Sequence, residues 1–279
     1  MRSNPRRIWL CADDYGISPG VSAAIRELVL QERINATSVM VSSPNFNAEE
    51  ATALDTLNSG KKRTAIGLHV TLTAPFKPII EDFAPLHGGR FLPLNKMLQA
   101  AIARRLQPER LAIEIATQLR TFVEFFGRPP DFLDGHQHAH LFPQIRDAFL
   151  KVAAETAPEA WVRQCGRTAP RLNDRKALLL DILSLSLRRK AKRLGIAFNP
   201  AFAGTYSFRP NADIARLFPR FLTGLPDGGL IMCHPGFVDA ELKALDLLTT
   251  LREREFAFFS SDNFPRVLAT QNVALEQPY

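Results

Sequence analysis

Between Asp134 and His140 the chain reads Asp134-Gly135-His136-Gln137-His138-Ala139-His140, and half of its 6 histidines lie in this stretch. Imidazole is the commonest neutral metal ligand, and closely spaced histidines beside a carboxylate suit a divalent cation. One such histidine would more often bond locally; three in a row favour a ligand cluster. Cys11-Ala12-Asp13-Asp14-Tyr15-Gly16 adds two adjacent carboxylates before a turn. Neighbouring side chains on an extended backbone point in opposite directions, so one Asp can ligate a metal while the other stays free as a base. The plainer reading is that one of the pair caps the helix that Ser18-Pro19 opens. His69, in Gly67-Leu68-His69-Val70-Thr71-Leu72-Thr73, is flanked by apolar residues, the usual pattern of a buried, satisfied histidine. His234 follows Ile231-Met232-Cys233 and precedes Pro235-Gly236.

These residues need elements to hold them. Short apolar runs predict strands over Ile8–Ala12, Thr37–Ser42, Thr64–Val70, Asp131–Leu133, Trp161–Gln164, Leu230–Cys233 and, more weakly, Ile196–Phe198. Longer amphipathic segments predict helices over Pro19–Arg33, Ala48–Leu57, Pro108–Phe126, Pro143–Thr156, Asp174–Leu194, Ala212–Leu222 and Ala240–Glu253. Such alternation gives an α/β fold, either a parallel sheet or a β/α barrel. In both, strand termini converge on one face, and here four strand ends finish in Asp, His or a His cluster. Residues Ala74–Asn95 carry four prolines and Gly88-Gly89 with little periodicity, which reads as a lid or binding loop within a single domain over 1–279.

Composition excludes several classes. An apolar fraction of 46% with 23% charged residues is ordinary for a globular protein, and no run of 18 apolar residues exists to span a membrane. The apolar stretch after Arg6-Arg7 is too short for a signal-peptide core and reads as the first strand. Cys11, Cys165 and Cys233 are odd in number and far apart, which points to the cytoplasm. Net charge is +7, with a basic run at Arg188-Arg189-Lys190-Ala191-Lys192-Arg193. No aromatic interleaving accompanies it, so nucleic acid is not expected, and the run reads as a solvated helix end favoured by the macrodipole. Oligomeric state is not legible; a homo-oligomer stays open.

Taken in order, Ala12-Asp13-Asp14-Tyr15-Gly16, Gly67-Leu68-His69-Val70-Thr71-Leu72-Thr73, Asp134 to His140 with Phe142-Pro143, and Met232-Cys233-His234-Pro235 resemble the motifs of the YdjC family of carbohydrate deacetylases, the ChbG/HpnK group. The resemblance implies a distorted (β/α) barrel similar to NodB-type polysaccharide deacetylases and a divalent metal held by an Asp and two His. It would make Asp14, His69 and His136 the ligands, Asp13 the base that takes a proton from water on the metal, and His234 the acid that protonates the leaving amine. His138 and Tyr15 would serve the substrate, and His140 the structure. Magnesium is the metal the family implies, although two imidazoles and a carboxylate fit Zn, Mn or Co as well. The implied substrate is an N-acetylated amino sugar or oligosaccharide. Residues Arg171–Thr205 match none of the motifs.

Two other classes remain open from the residues. A metal-dependent phosphoesterase or amidohydrolase also uses His-x-His at a strand end, usually on the first strand, where this chain has Asp-Asp instead. A barrel that binds sugar without turnover would keep the same elements.

Overall fold

The computed structural model describes residues 4–58, 63–168 and 175–277. The parallel strands are β1 (Trp9–Tyr15), β2 (Ala36–Val39), β3 (Ala65–Val70), β4 (Phe132–Gly135), β5 (Trp161–Val162), β6 (Phe202–Ala203) and β7 (Leu230–Cys233). They form one seven-stranded sheet in the order β5-β4-β3-β2-β1-β7-β6. β1, β2, β3, β4 and β7 are buried along their whole length, as parallel strands covered on both faces must be. The sheet curls until its edges approach: Val162 bridges Phe198, and the Phe202 N–H donates to the Gly166 carbonyl at 3.0 Å. The edge strands do not pair, so the fold is an open half-barrel.

The helices are α1 (Pro19–Leu30), α2 (Ala48–Leu57), α3 (Leu94–Ile102), α4 (Pro108–Phe126), α5 (Ile145–Thr156), α6 (Arg175–Arg193), α7 (Ile214–Leu222), α8 (Ala240–Leu245), α9 (Thr250–Ser260) and α10 (Asn263–Thr270). Their ends follow local chemistry. Ser18 caps α1 by accepting from the Val21 N–H with Pro19 behind it, and Asn47 caps α2 from the Glu50 N–H. Gly127, at φ 65, ends α4 in the left-handed conformation. Gly67 allows β3 to pass under Phe132: a Cβ there would lie 2.4 Å from the ring.

Some boundaries differ from the sequence pattern. The strand expected over Ile196–Phe198 is reduced to the single bridge from Phe198, and the edge strand falls at Phe202–Ala203. Asn199 explains the shift, because its side chain takes the Gln164 N–H and carbonyl and the Ala201 carbonyl, groups that a ladder would otherwise use. The helix expected over Ala240–Glu253 is broken. Asp246 accepts from the Leu248 N–H and from Arg252, closing a turn that separates α8 from α9. The helix after the His cluster starts at Ile145, behind a 3₁₀ turn over His136–Leu141. The start expected for α6 at Asp174 lies outside the described residues. Within the segment expected as a lid, Phe76, Phe83 and Phe91 are buried, Leu86–His87 pairs with Arg90–Phe91, and the Ile79 and Ile80 N–H groups donate to Glu114.

Candidate active site

The C-terminal ends of β1, β3, β4 and β7 meet at the base of a cavity of about 550 Å³. It is lined by Asp13, Asp14, His69, His136, His138 and His234, with leucines from α3, α6 and the α8–α9 turn above them. β1 delivers both carboxylates to this one space despite their adjacency. The register with β2 slips between Ala12 and Tyr15, and Asp14 takes a φ of 70°. A bulge of this kind re-aims a side chain, and a non-glycine residue held in the left-handed region at a strand end marks a functional position.

The two carboxylates then take different partners. Asp14 Oδ1 lies 3.3 Å from His69 Nε2 and 2.9 Å from His136 Nδ1, while Oδ2 accepts from Arg252 Nη2 at 2.6 Å. Asp13 instead receives both terminal nitrogens of Arg163, each at 2.6 Å. Burial works against both charges, yet Arg252 and His136 hold the Asp14 carboxyl well below the usual range, and Arg163 does the same for Asp13. Both are ionised at neutral pH.

His69 is fixed from behind. Its Nδ1–H donates to Asp134 at 2.5 Å, with the Ser38 hydroxyl at 3.0 Å, so Nε2 is turned toward Asp14. Burial alone would lower its pKa, but Asp134 and Asp14 raise it to about 10. A carboxylate behind a ligand imidazole sets its tautomer and raises its basicity. The donor atoms of Asp14, His69 and His136 all lie within 4.8 Å of one another and are buried. Two nitrogens and one carboxylate oxygen, with room above them, fit a divalent cation at an open site. Charge agrees. Asp13, Asp14 and Asp134 outnumber Arg163 and Arg252 by one; a proton on His69 supplies the third positive charge, and a cation held by Nε2 would take that proton's place.

Cys11, Asp13 and Asp134 form a second donor group. Arg163 fills it: Nη2 lies 3.0 Å from Cys11 Sγ and 2.6 Å from both Asp13 and Asp134. A guanidinium in that position leaves no space or charge for a metal.

The histidine run separates because the backbone turns after Gly135, with Gln137 and His138 at φ 53 and 59. His136 enters the metal donor set. His138 lines the cavity, with Nδ1 3.5 Å from Cys165 Sγ, and burial holds its pKa well down. His140 is turned back beneath the sheet, where Nε2–H donates to the Arg163 carbonyl at 2.9 Å. Burial lowers its pKa to about 4. His234 borders the cavity at the end of β7, its N–H donating to Glu255 and its ring edge-on to Phe208. Its Nδ1 has no partner among the described residues, which leaves a ring nitrogen free for a ligand.

Tyr15 is the candidate that the structure does not bring to the cavity. The bulge turns it to the other side, where its hydroxyl lies 2.9 Å from the Glu50 carbonyl and carboxylate and receives Arg26. It is fully buried there and does not line the cavity. Sequence reasoning missed Arg163, Arg252 and Glu255. Arg163 had a signal, a charge inside the apolar run Trp161-Val162. Arg252 and Glu255 had none, since Leu251-Arg252-Glu253-Arg254-Glu255 looks like any solvated helix.

Residues 7–270 match the family model described as YdjC-like protein. A chitooligosaccharide deacetylase of Escherichia fergusonii is 30% identical over 244 residues, covering 85% of this chain and 84% of that protein. One from Citrobacter koseri is 28% identical over 260 residues, 88% of this chain and 91% of its own. A crystal structure from Enterococcus faecalis, of a protein proposed to act in cellobiose-phosphate cleavage, superposes over 99% of this chain and 98% of its own with a TM-score of 0.73 at 20% identity, a likeness of fold. With its four motifs gathered at the strand ends and a match over nearly its whole length, the chain belongs to the YdjC-like protein family.

Proposed function

We propose that the protein is a metal-dependent hydrolase that removes the N-acetyl group from an N-acetylated amino sugar or oligosaccharide. The observation that carries this is the joint placement of Asp14, His69 and His136 as one donor set, with Asp13 and His234 on the walls of the same cavity. A divalent cation bound there lowers the pKa of water and polarises the acetyl carbonyl. The chain supplies the rest. Asp14, His69 and His136 are the ligands, and Asp134 orients His69. Asp13, ionised and held in one orientation by Arg163, accepts the proton of the attacking water. His234, with a free ring nitrogen, gives a proton to the amine nitrogen, which leaves poorly without one. His138 contacts the sugar. The apolar walls exclude water.

Magnesium is the metal proposed, with Zn, Mn or Co equally compatible with the donors. Three buried free cysteines suit a reducing, cytoplasmic setting. No helix among the described residues is long and apolar enough to cross a membrane. A phosphoester substrate is less well served: among the described residues the lining has no lysine, and its one arginine, Arg252, is already on Asp14 and Asp246. The deciding experiment adds each metal to chelated protein and measures acetate release from a panel of N-acetylated mono- and oligosaccharides, beside phosphate release from phosphate esters. Metal-stimulated phosphate release without acetate release would refute the proposal, and turnover of neither would favour a barrel that only binds sugar.

A further inference from the structure

Helix α6 presents two kinds of residue on the side turned away from the fold. Leu179, Ile182 and Leu185 are 40%, 56% and 44% exposed. Arg189, Lys192 and Arg193 follow on the same side and are also exposed. Spacings of three, four and seven residues return to one helix face. The other side of α6 is fully engaged: Leu180, Ser184, Leu187 and Ala191 are buried, and Asp181 accepts from Arg167. The outer apolar residues are therefore not needed to pack the helix. One of them adjoins the cavity. Leu179 belongs to its wall, and so does Leu247 on the α8–α9 turn, which is 100% exposed.

A solvated helix end accounts for the cations but not for three aliphatic side chains in line before them. Lys190 is paired with Asp147, whereas Arg189, Lys192 and Arg193 have no ion-pair partner among the described residues. A second copy would bring another chain of net charge +7 to the same surface. Nucleic acid would answer the cations and leave the leucines in water. A bilayer with anionic headgroups satisfies both halves, since apolar side chains enter the acyl boundary while Lys and Arg meet the headgroups. We propose that the outer side of α6, together with Leu247, docks this protein on an anionic lipid surface and places the cavity mouth at the lipid–water boundary. Such docking is peripheral and needs no membrane-crossing helix.

The test is sedimentation of the full chain with phosphatidylcholine vesicles, with and without phosphatidylglycerol. Binding is expected only with phosphatidylglycerol, weakening as salt is raised. The pairs Ile182→Asp/Leu185→Asp and Arg189→Glu/Lys192→Glu should each lower the partition coefficient roughly tenfold or more. Their melting temperatures should match the parent, because the side chains are exposed. Leu30→Asp, equally exposed but on α1, is the control and should bind like the parent. No binding to either vesicle, or binding that neither pair weakens, would overturn the proposal. So would a dimer in light scattering that Ile182→Asp/Leu185→Asp dissolves, because a second copy would then be the occupant.

Discussion

The floor and the rim of the cavity follow opposite rules. On the floor every charge is buried and answered: Arg163 by Asp13 and Asp134, Arg252 by Asp14 and Asp246, His69 by Asp134. Asp13, Asp14, His69, Asp134 and Arg163 stand at strand ends, where ladder hydrogen bonds fix the backbone, and Arg252 reaches them from α9. The rim is made of leucines on α3, α6 and the α8–α9 turn. Geometry needed to within fractions of an ångström is thus built on the sheet, and the part that meets a partner is built on elements that can vary. If this contrast holds, substitutions on the floor should be costly in chemistry and stability, and those on the rim in neither.

The largest effects should come from the reacting groups. His136→Ala and His69→Ala should each lose tight metal binding by elemental analysis, because three protein ligands are the minimum for a stable open site. Asp13→Asn should keep its metal and lose about 10²–10⁴ in turnover, as an amide cannot accept the proton. His234→Ala should fall in the same range on an amide, roughly 10²–10⁴, and less on an ester, whose leaving oxygen needs protonation less. Equal metal loss in Asp13→Asn and Asp14→Asn would break the division of roles between the two carboxylates.

Arg163→Leu should come next. It strands two buried carboxylates and should cost about 3–5 kcal/mol, read from the urea midpoint. A loss under about 1 kcal/mol would mean that water reaches Asp13 and Asp134 and that the floor is not sealed.

The pH dependence of stability should follow from His140. Its pKa falls from 6.5 to about 4 on folding, so between these values the unfolded chain binds the extra proton. Stability from this group is complete above pH 6.5 and is lost as pH falls through 4, a change of about 3 kcal/mol. His140→Gln should flatten the melting temperature between pH 6.5 and 4. An unchanged slope would assign the acid sensitivity to His138 or the carboxylates.

The smallest effect belongs to the rim. Leu247→Ser, at a fully exposed position, should change stability by less than about 0.5 kcal/mol. Turnover of a soluble monosaccharide should stay within about threefold of the parent, which is under about 0.7 kcal/mol. A larger loss on a small substrate would make the rim part of the chemistry and erase the contrast.

Much of the floor was legible in the residues. Asp13, Asp14, His69, His136 and His234 stand out because polar groups close apolar strand runs, and parallel strands must end on one face. Left-handed backbone at Gln137 and His138 turns the chain after Gly135, sending His138 to the cavity and His140 to the Arg163 carbonyl. Tyr15 shows where that legibility stops. It is one residue from Asp14, and the bulge that brings the aspartates together carries the tyrosine away.

Period and polarity along the chain determined the parallel α/β order, the strand ends that hold chemistry and the residue types able to bind a cation, because burial of apolar runs is a local preference repeated down the chain. The tertiary structure alone decided the pairings. Asp13 meets Arg163 across 150 positions and Asp14 meets Arg252 across 238. Nothing local distinguishes Arg252 from a solvated arginine, and Arg163 stands out only as a charge in an apolar run; both become part of the site only when the fold brings them to a buried carboxylate that requires a cation.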